Sequence, residues 1–304
     1  MIGETETVVD VAGRSVRLTT LDRLLWPELG FTKAHLLDYY ARIAPVLLPH
    51  LVNRPVTLRR FPEGVDGKNF FQTRTPSHPP WVRVQRMWTF PSGKDVDAPV
   101  VDDAAGLMWA ANLSTIEFHP YLSTVDALDR PTTMVFDLDP GAPAGLLTAC
   151  AVALDVRDRL EGVGLRPRVK VSGAKGIHIL VPVKDATYDD TKLFARTVAA
   201  VLEREMPERV VARMTRSLRV GKVLVDWSQN DAGKSTVAPY SLRAGRYPTV
   251  AMPVTWDEVA TAVADADERM LRFLPDDALA RVAAHGDLFS QLDPQVLPAT
   301  TVTP

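Results

Sequence analysis

The chain has one cysteine in 304 residues, Cys150. No internal disulfide is possible, which points to a reducing cytoplasm rather than an oxidising compartment. No apolar run is long enough to span a bilayer, and "MIGETETVVD" lacks the basic start and apolar stretch of a secretory leader. The expectation is a cytoplasmic protein with no membrane partner. Internal repeats and low-complexity segments are missing as well. So is an excess of charge: 35 Lys and Arg against 37 Asp and Glu leave −2, which makes the whole surface no trap for polyanions. A local patch needs no net charge, and arginines do cluster in "RPVTLRRFP" and "RVVARMTRSLRVGK". What is present is ordinary for a globular chain: 46% hydrophobic and 24% charged residues, enough for one large domain or two smaller ones. Cys150, inside "LLTACAVALDV", reads as helix core.

Pattern and punctuation predict the elements. "VVDVAGRSVRLT" reads as two short strands around Gly13, and "TLDRLLWP" as a helical turn stopped before Pro27. "FTKAHLLDYYARIAPVLLPHL" has helical spacing with Thr32 as N-cap. "RPVTLRRFP", "NFFQTR" and "WVRVQRMWTF" read as strands, "DDAAGLMWAANLS" as a helix and "TIEFHP" as a strand. Past the loop "YLSTVDALDRP" the order is strand 132–138, helix 145–161, strands 167–172 and 176–183, helix 188–205 and strand 222–228. This β-α-β-β-α-β run is the signature of a ferredoxin-like or RNA-recognition-like sheet. "TWDEVATAVA" and "DALARVAAHG" add helices before a Pro/Thr-rich end expected to fray.

The run "TTMVFDLDPG" ends in Asp137 and, two residues on, Asp139. Strand side chains alternate, so the two carboxylates share a face. Ionised and that close they repel, and they need a proton or a cation between them. Oxygen donors suit Mg²⁺ or Mn²⁺. The plainer alternative is an Asp turn closed by Asp139, Pro140 and Gly141. "GKVLVDWSQN" repeats the design with Asp226, and the first and last strands of such a run can lie close together. Three carboxylates on adjacent strands suit two divalent ions and in-line phosphoryl displacement; for Asp226 the alternative is a helix cap or an ion pair. Between them, the turn in "VKVSGAKGIHILVPV" offers Ser172, Gly173, Lys175 and Gly176 as an anion-binding nest. His178, facing away from Ile177 and Ile179, reads as a phosphate contact.

Together "VFDLDPG", "VSGAKGIH" and "KVLVDWSQN" with "TVAPYSLR" closely resemble the polymerase domain of bacterial ligase D, within the archaeo-eukaryotic primase superfamily. The resemblance runs from "LDRLLWPELGFTK" to "HGDLFSQLD". It implies an α/β (α+β) fold: a primase-like catalytic core on the RNA-recognition-like sheet, plus an N-terminal mixed sheet and helix subdomain. One primase-polymerase domain would cover 1–304, with a DNA-end and template part to approximately 130 and the core with its C-terminal helices from 131. Without ligase or nuclease motifs, the chain looks like a stand-alone actinobacterial primase-polymerase. The implied activity is template-directed nucleotidyl transfer that prefers ribonucleotides, filling gaps and extending ends in break repair by end joining. Two Mn²⁺ or Mg²⁺ ions, NTP or dNTP, gapped or broken DNA with a 5′-phosphate, and a separate ATP-dependent DNA ligase and Ku are the implied cofactors and partners. The expected form is a monomer at the nucleoid.

Residue by residue, the resemblance makes Asp137, Asp139 and Asp226 the catalytic metal carboxylates. It assigns Ser172, Lys175 and His178 to the triphosphate, with Arg243 and Gln229 as further contacts, and His119 to the nucleotide pocket. Arg23, Lys33 and Arg59 fall where the family grips a 5′-phosphate, Phe70 and Phe71 where it stacks on template bases, with Phe71 the favoured stacker, and Arg219 where it touches the nucleic-acid backbone. Thr73, followed by Arg74, stands where the family usually has Lys, so that one nucleotide or phosphate contact is not carried over. Two readings compete: a non-catalytic adaptor for DNA ends bearing a 5′-phosphate, and a metal-dependent nuclease.

Overall fold

The computed structural model describes residues 6–89, 93–290 and 293–298. Phe90, at the end of one expected strand, and the terminal residues expected to fray, 299–304, lie outside them. Six α-helices occur among the described residues: α1 (Lys33–Leu47), α2 (Ala104–Asn112), α3 (Leu146–Gly162), α4 (Tyr188–Glu205), α5 (Trp256–Ala264) and α6 (Pro275–His285). No helix among the described residues is long and apolar enough to cross a membrane.

The chain forms two compact units, and neither is one continuous stretch. The first takes the chain up to Tyr121, then Ser235–Ala251 and Phe273–Gly286; the second takes Leu122–Lys234, Met252–Arg272 and the chain from Asp287. The first crossing falls near the expected boundary at 130, but two later segments return to the first unit. The Phe273 carbonyl accepts from the Val250 N–H at 2.9 Å, and Ser235–Ala251 is itself held by a set of long-range hydrogen bonds. The Tyr39 hydroxyl donates to the Tyr240 carbonyl at 2.8 Å, and the Tyr40 hydroxyl accepts from the Leu242 N–H at 3.1 Å. The Ser241 hydroxyl accepts from the Phe118 N–H at 3.0 Å. Tyr39 and Tyr40 are buried in α1, so these partners satisfy groups that water cannot reach.

In the first unit, strands Phe70–Gln72, Val56–Arg60 and Thr115–Pro120 form an antiparallel sheet in that order. Thr32 caps α1 by accepting from the His35 N–H, and the His35 ring accepts from the Thr32 N–H. No helical turn forms at 20–26; Leu24–Trp26 is a short strand and a 3₁₀ turn begins at Pro27. The carbonyls of Leu21, Arg23 and Leu25 accept from Ala34, Lys33 and Val65 rather than from residues one turn ahead. A further strand, Lys94–Val100, pairs with Arg83–Thr89. Its Asp95, Asp97 and Pro99 read as punctuation, but Arg86 sits opposite Asp97 and bonds Asp95 at 3.3 Å across the hairpin.

The second unit carries the β-α-β-β-α-β run. Its strands lie in the order 210–211, 223–226, 133–140, 177–184, 168–171 and 253–254. All neighbours are antiparallel except the first pair. The order of the four principal strands, last-first-third-second, is the one the sequence pattern implies. Helices α3 and α4 touch each other and pack on the sheet, where Phe136, Leu138, Ile177 and Ile179 are buried. Cys150 lies in that core, and burial pushes its thiol up to about 12.

The strand Val223–Asp226 ends early, leaving one edge of Thr133–Pro140 unpaired near Val135. Asn230 fills the gap with its side chain. Its Oδ1 accepts from the Val135 N–H at 2.8 Å and its Nδ2 donates to the Val135 carbonyl at 2.7 Å. The residue is fully buried. We predict that Asn230→Ala, by orphaning both groups, lowers stability by about 2–4 kcal/mol in urea denaturation; a change under about 0.5 kcal/mol would disprove this role.

Candidate active site

The register of the second unit's sheet puts four polar side chains in one row. Asp226 is opposite Asp137, Asp137 is opposite His178, and His178 is opposite Lys170. Cross-strand partners project to the same face, and Phe136, Leu138, Ile177 and Ile179 alternate to the other. The row is joined by contacts: His178 Nε2 lies 3.2 Å from Asp137 Oδ1, and Lys170 Nζ lies 3.1 Å from His178 Nδ1. Lys170 is fully buried. Sequence reading passed it over; its signal was alternation, since in "VKVSG" it is the polar residue between two buried valines.

Asp139 is two residues along the same face and exposed. It belongs to the strand Thr133–Pro140, not to a tight turn. Gly141 follows because the chain passes so close to the Arg219 carbonyl that an added Cβ would lie 2.0 Å from it. Asp226 is both a row member and a cap. Its Oδ1 accepts from the Ser228 N–H at 2.8 Å and hydroxyl at 2.6 Å, and Gln229 Nε2 lies 3.5 Å from Oδ2. Lys234 in turn donates to the Ser228 hydroxyl at 2.6 Å.

The three carboxylates fit a hard divalent ion in kind, because they offer oxygen donors only. The facing pair Asp137 and Asp226 also repels unless a positive charge offsets it. Among the described residues, however, no three His, Cys, Asp or Glu side chains already converge as a chelating group.

The turn at 172–176 is organised by Ser172. Its hydroxyl oxygen accepts from the Ala174 and Gly176 N–H groups, each at 3.2 Å. Those two N–H groups are therefore spent on the turn itself, with Ser172 buried at its base. Gly176 is required by contact: a Cβ there would lie 2.4 Å from the Leu138 carbonyl oxygen. Lys175 is exposed at the tip. Arg219 donates to the Met214 carbonyl at 2.7 Å in the loop before Val223–Asp226.

A second cluster belongs to the first unit. Glu117 is fully buried on the strand Thr115–Pro120. Its Oε1 accepts from Arg59 at 2.9 Å and from the Ala244 N–H at 3.0 Å; its Oε2 accepts from Arg243 at 2.9 Å and from His119 at 2.9 Å. Three expected site residues thus converge on a carboxylate that sequence reading missed, although a Glu in so apolar a strand was the available signal. Burial alone would raise the Glu117 pKa, but the His119 hydrogen bond and the charges of Arg243 and Arg59 hold it at about 2. His119 is lowered, chiefly by burial and further by the two arginines, against the pull of Glu117.

Arg59 lies over the Phe71 ring at 5.1 Å, and Phe71 meets the His119 ring edge-on at 5.3 Å. Phe71 is 60% exposed and Phe70 39%, so neither is core. Thr73 bonds Thr57 hydroxyl to hydroxyl at 2.9 Å. Arg59, expected beside Arg23 and Lys33, instead takes the Glu117 face, because Arg59 and Arg60 alternate along the strand. Burial first, and then the charges of Arg23 and Arg60, lower the Lys33 pKa to about 8. Its ammonium donates to the Thr19 carbonyl at 2.6 Å. Arg23 donates to the Pro62 carbonyl.

A family model described as the LigD primase-polymerase domain matches residues 32–289. The chain is 42% identical over 281 residues to the multifunctional non-homologous end joining protein LigD of Mycolicibacterium smegmatis, covering 91% of this chain and 36% of that protein. It is 30% identical to the bifunctional non-homologous end joining protein LigD of Bacillus subtilis, covering 89% of this chain and 43% of that protein. The chain therefore spans less than half the length of these relatives. Among solved structures it is similar to the polymerase domain of Mycobacterium tuberculosis ligase D in complex with DNA, with a TM-score of 0.82 and 38% identity over 90% of this chain and 96% of that one.

The Glu117 network gives a pH signature. A carboxylate held at about 2 in the fold against its ordinary 4.5 stabilises the folded state above pH 4.5, and that contribution is lost as the pH falls toward 2. The stability gap between the parent and Glu117→Gln is therefore expected to be constant above pH 4.5 and to shrink by roughly 3 kcal/mol below it. Denaturation of both proteins across that range is the check; a gap that stays constant or widens on acidification would contradict it.

Proposed function

The chain belongs to the ligase D primase-polymerase family, and from that premise we propose that it is a template-directed nucleotidyltransferase that fills gaps and extends ends in break repair. The observation that carries this reading is the row Asp226, Asp137, His178 and Lys170, with Asp139 beside it, on the sheet face turned away from the buried apolar residues. Asp137, Asp139 and Asp226 are the residues to hold two divalent ions, Mn²⁺ or Mg²⁺. Bound there, the ions would lower the pKa of an attacking hydroxyl and offset the charge of a leaving pyrophosphate.

The chain's own groups have separate tasks. Ser172 offers a hydroxyl proton and Lys175 an ammonium to phosphate oxygens, and His178 is held against Asp137 for the same anion. Gln229 steadies Asp226. Arg243 and His119 are assigned to the nucleotide. Phe71, backed by Arg59, is assigned to stacking on template bases, worth about 1–3 kcal/mol per base whatever the sequence, with Phe70 beside it. Arg23 and Lys33 are assigned to a 5′-phosphate, where an anion would offset the repulsion from Arg23 and Arg60 that adds to burial in depressing Lys33. Arg219 is assigned to the nucleic-acid backbone. Ribonucleotide preference, work alongside a separate ligase and Ku, action as a monomer, and a cytoplasmic, nucleoid-associated location complete the reading. So few net charges suit an enzyme that grips one end phosphate rather than a long duplex.

Incubation with a 5′-phosphorylated gapped duplex, Mn²⁺ and each NTP or dNTP is the test. Templated extension favouring NTPs is expected, falling to background in Asp137→Ala/Asp139→Ala. Extension that survives in the double variant would refute the assigned centre. Binding that needs the 5′-phosphate without any extension would favour the adaptor.

A further inference from the structure

The cluster around Glu117 has a chemical consequence for the side chains it holds. An ionised carboxylate only accepts hydrogen bonds, so the His119 nitrogen beside it, Nε2, must carry the proton. Burial and the neighbouring guanidiniums keep the ring neutral. Nδ1 is then a bare lone pair, and it makes no hydrogen bond among the described residues. The charges do not balance either: two guanidiniums face one carboxylate. The Nε–H groups of Arg59 and Arg243 are both buried and have no hydrogen-bond partner in the protein. Buried donors left so are destabilising by about 1–3 kcal/mol each; what a ligand can reach is the part of each side chain still exposed, 25% for Arg59 and 18% for Arg243.

Building on the nucleotidyl-transfer reading, we infer that Glu117 is a positioning residue for nucleotide binding. It fixes His119 as the Nε2–H tautomer and sets Arg59 and Arg243 as a paired cationic surface, so that this face accepts a ligand that is anionic and also carries a hydroxyl donor. A ribonucleotide has both: phosphate oxygens for the guanidiniums and a sugar hydroxyl for the lone pair of Nδ1. A 2′-deoxynucleotide has one such donor fewer. Glu117 need not touch the ligand. It acts through the three side chains it holds.

Two measurements on the full chain test this. The first is long-range ¹⁵N–¹H NMR of the imidazoles at neutral pH, with His119→Asn to assign the signal. A neutral Nε2–H ring is expected in the parent and a mixture of tautomers in Glu117→Gln. The second is the affinity, with Mn²⁺, for an α,β-methylene ribonucleoside triphosphate and its 2′-deoxy counterpart. Glu117→Gln is expected to weaken both triphosphates through the guanidiniums it no longer sets, and the ribonucleotide by a further factor of about two where the two tautomers become equally populated, and Glu117→Asp, which keeps the charge, to recover part of the loss. An Nδ1–H ring in the parent would overturn the inference without any variant, even if Glu117→Gln failed to fold. A folded Glu117→Gln with unchanged tautomer and affinity would overturn it as well. A parent that binds neither triphosphate would overturn the polymerase reading and the ligand with it, while the tautomer measurement would still decide what Glu117 does.

Discussion

The antiparallel register of the 133–140 strand governs the site. One residue of slip on either side would turn Asp137 toward the helices and bring Phe136 and Leu138 to the polar face. Burial prevents this. Phe136, Leu138, Ile177 and Ile179 are packed out of water on the helix side, so the apolar pattern on one face locks the polar pattern on the other. Asn230 extends the lock where the neighbouring strand gives out, supplying a side-chain amide where a backbone pair would have stood. Gly176 completes it by letting the turn close onto the Leu138 carbonyl.

Charge is handled by pairing rather than by abundance. In the second unit a buried ammonium, an imidazole and two carboxylates form one line, so opposite charges meet at each end through an intermediate group: Lys170 through His178 to Asp137, and Lys234 through Ser228 to Asp226. In the first unit one buried carboxylate holds two guanidiniums and a neutral histidine. Removing one member of such a group leaves the rest unpaired out of water, which is far more destabilising than losing an exposed ion pair. The net charge of −2 thus says little about the local fields.

Much of this could be read from the residues in order. The β-α-β-β-α-β run, the cap at Thr32, the Ser172–Gly176 turn and the three aspartates follow from periodicities of two and 3.6 and from turn chemistry, all of which act over a few residues. The misreadings lie where distant partners decide. Residues 20–26 carry an apolar pattern compatible with a helical turn, yet their carbonyls are claimed by Lys33, Ala34 and Val65. Lys94–Val100 is a strand because Arg83–Thr89 pairs with it, against the habits of Asp and Pro. The cap weighed for Asp226 is present, since its carboxylate accepts from Ser228 and lies beside Gln229, while its register opposite Asp137 leaves it in the row.

By itself, then, the sequence determined which residues alternate to which side of each strand, and so which carboxylates share a face, because strand geometry is local. It also determined the family, through motifs in a set order. The tertiary structure alone decided that Asp137 has Asp226 on one side and His178 on the other, that Lys170 closes the row, that Arg59 answers to Glu117 while Arg60 acts on Lys33, and that Ser235–Ala251 returns to the first unit. Each of these joins residues far apart in the chain, where the preference of any one residue is weak and the outcome rests on which groups must be paired once water is excluded.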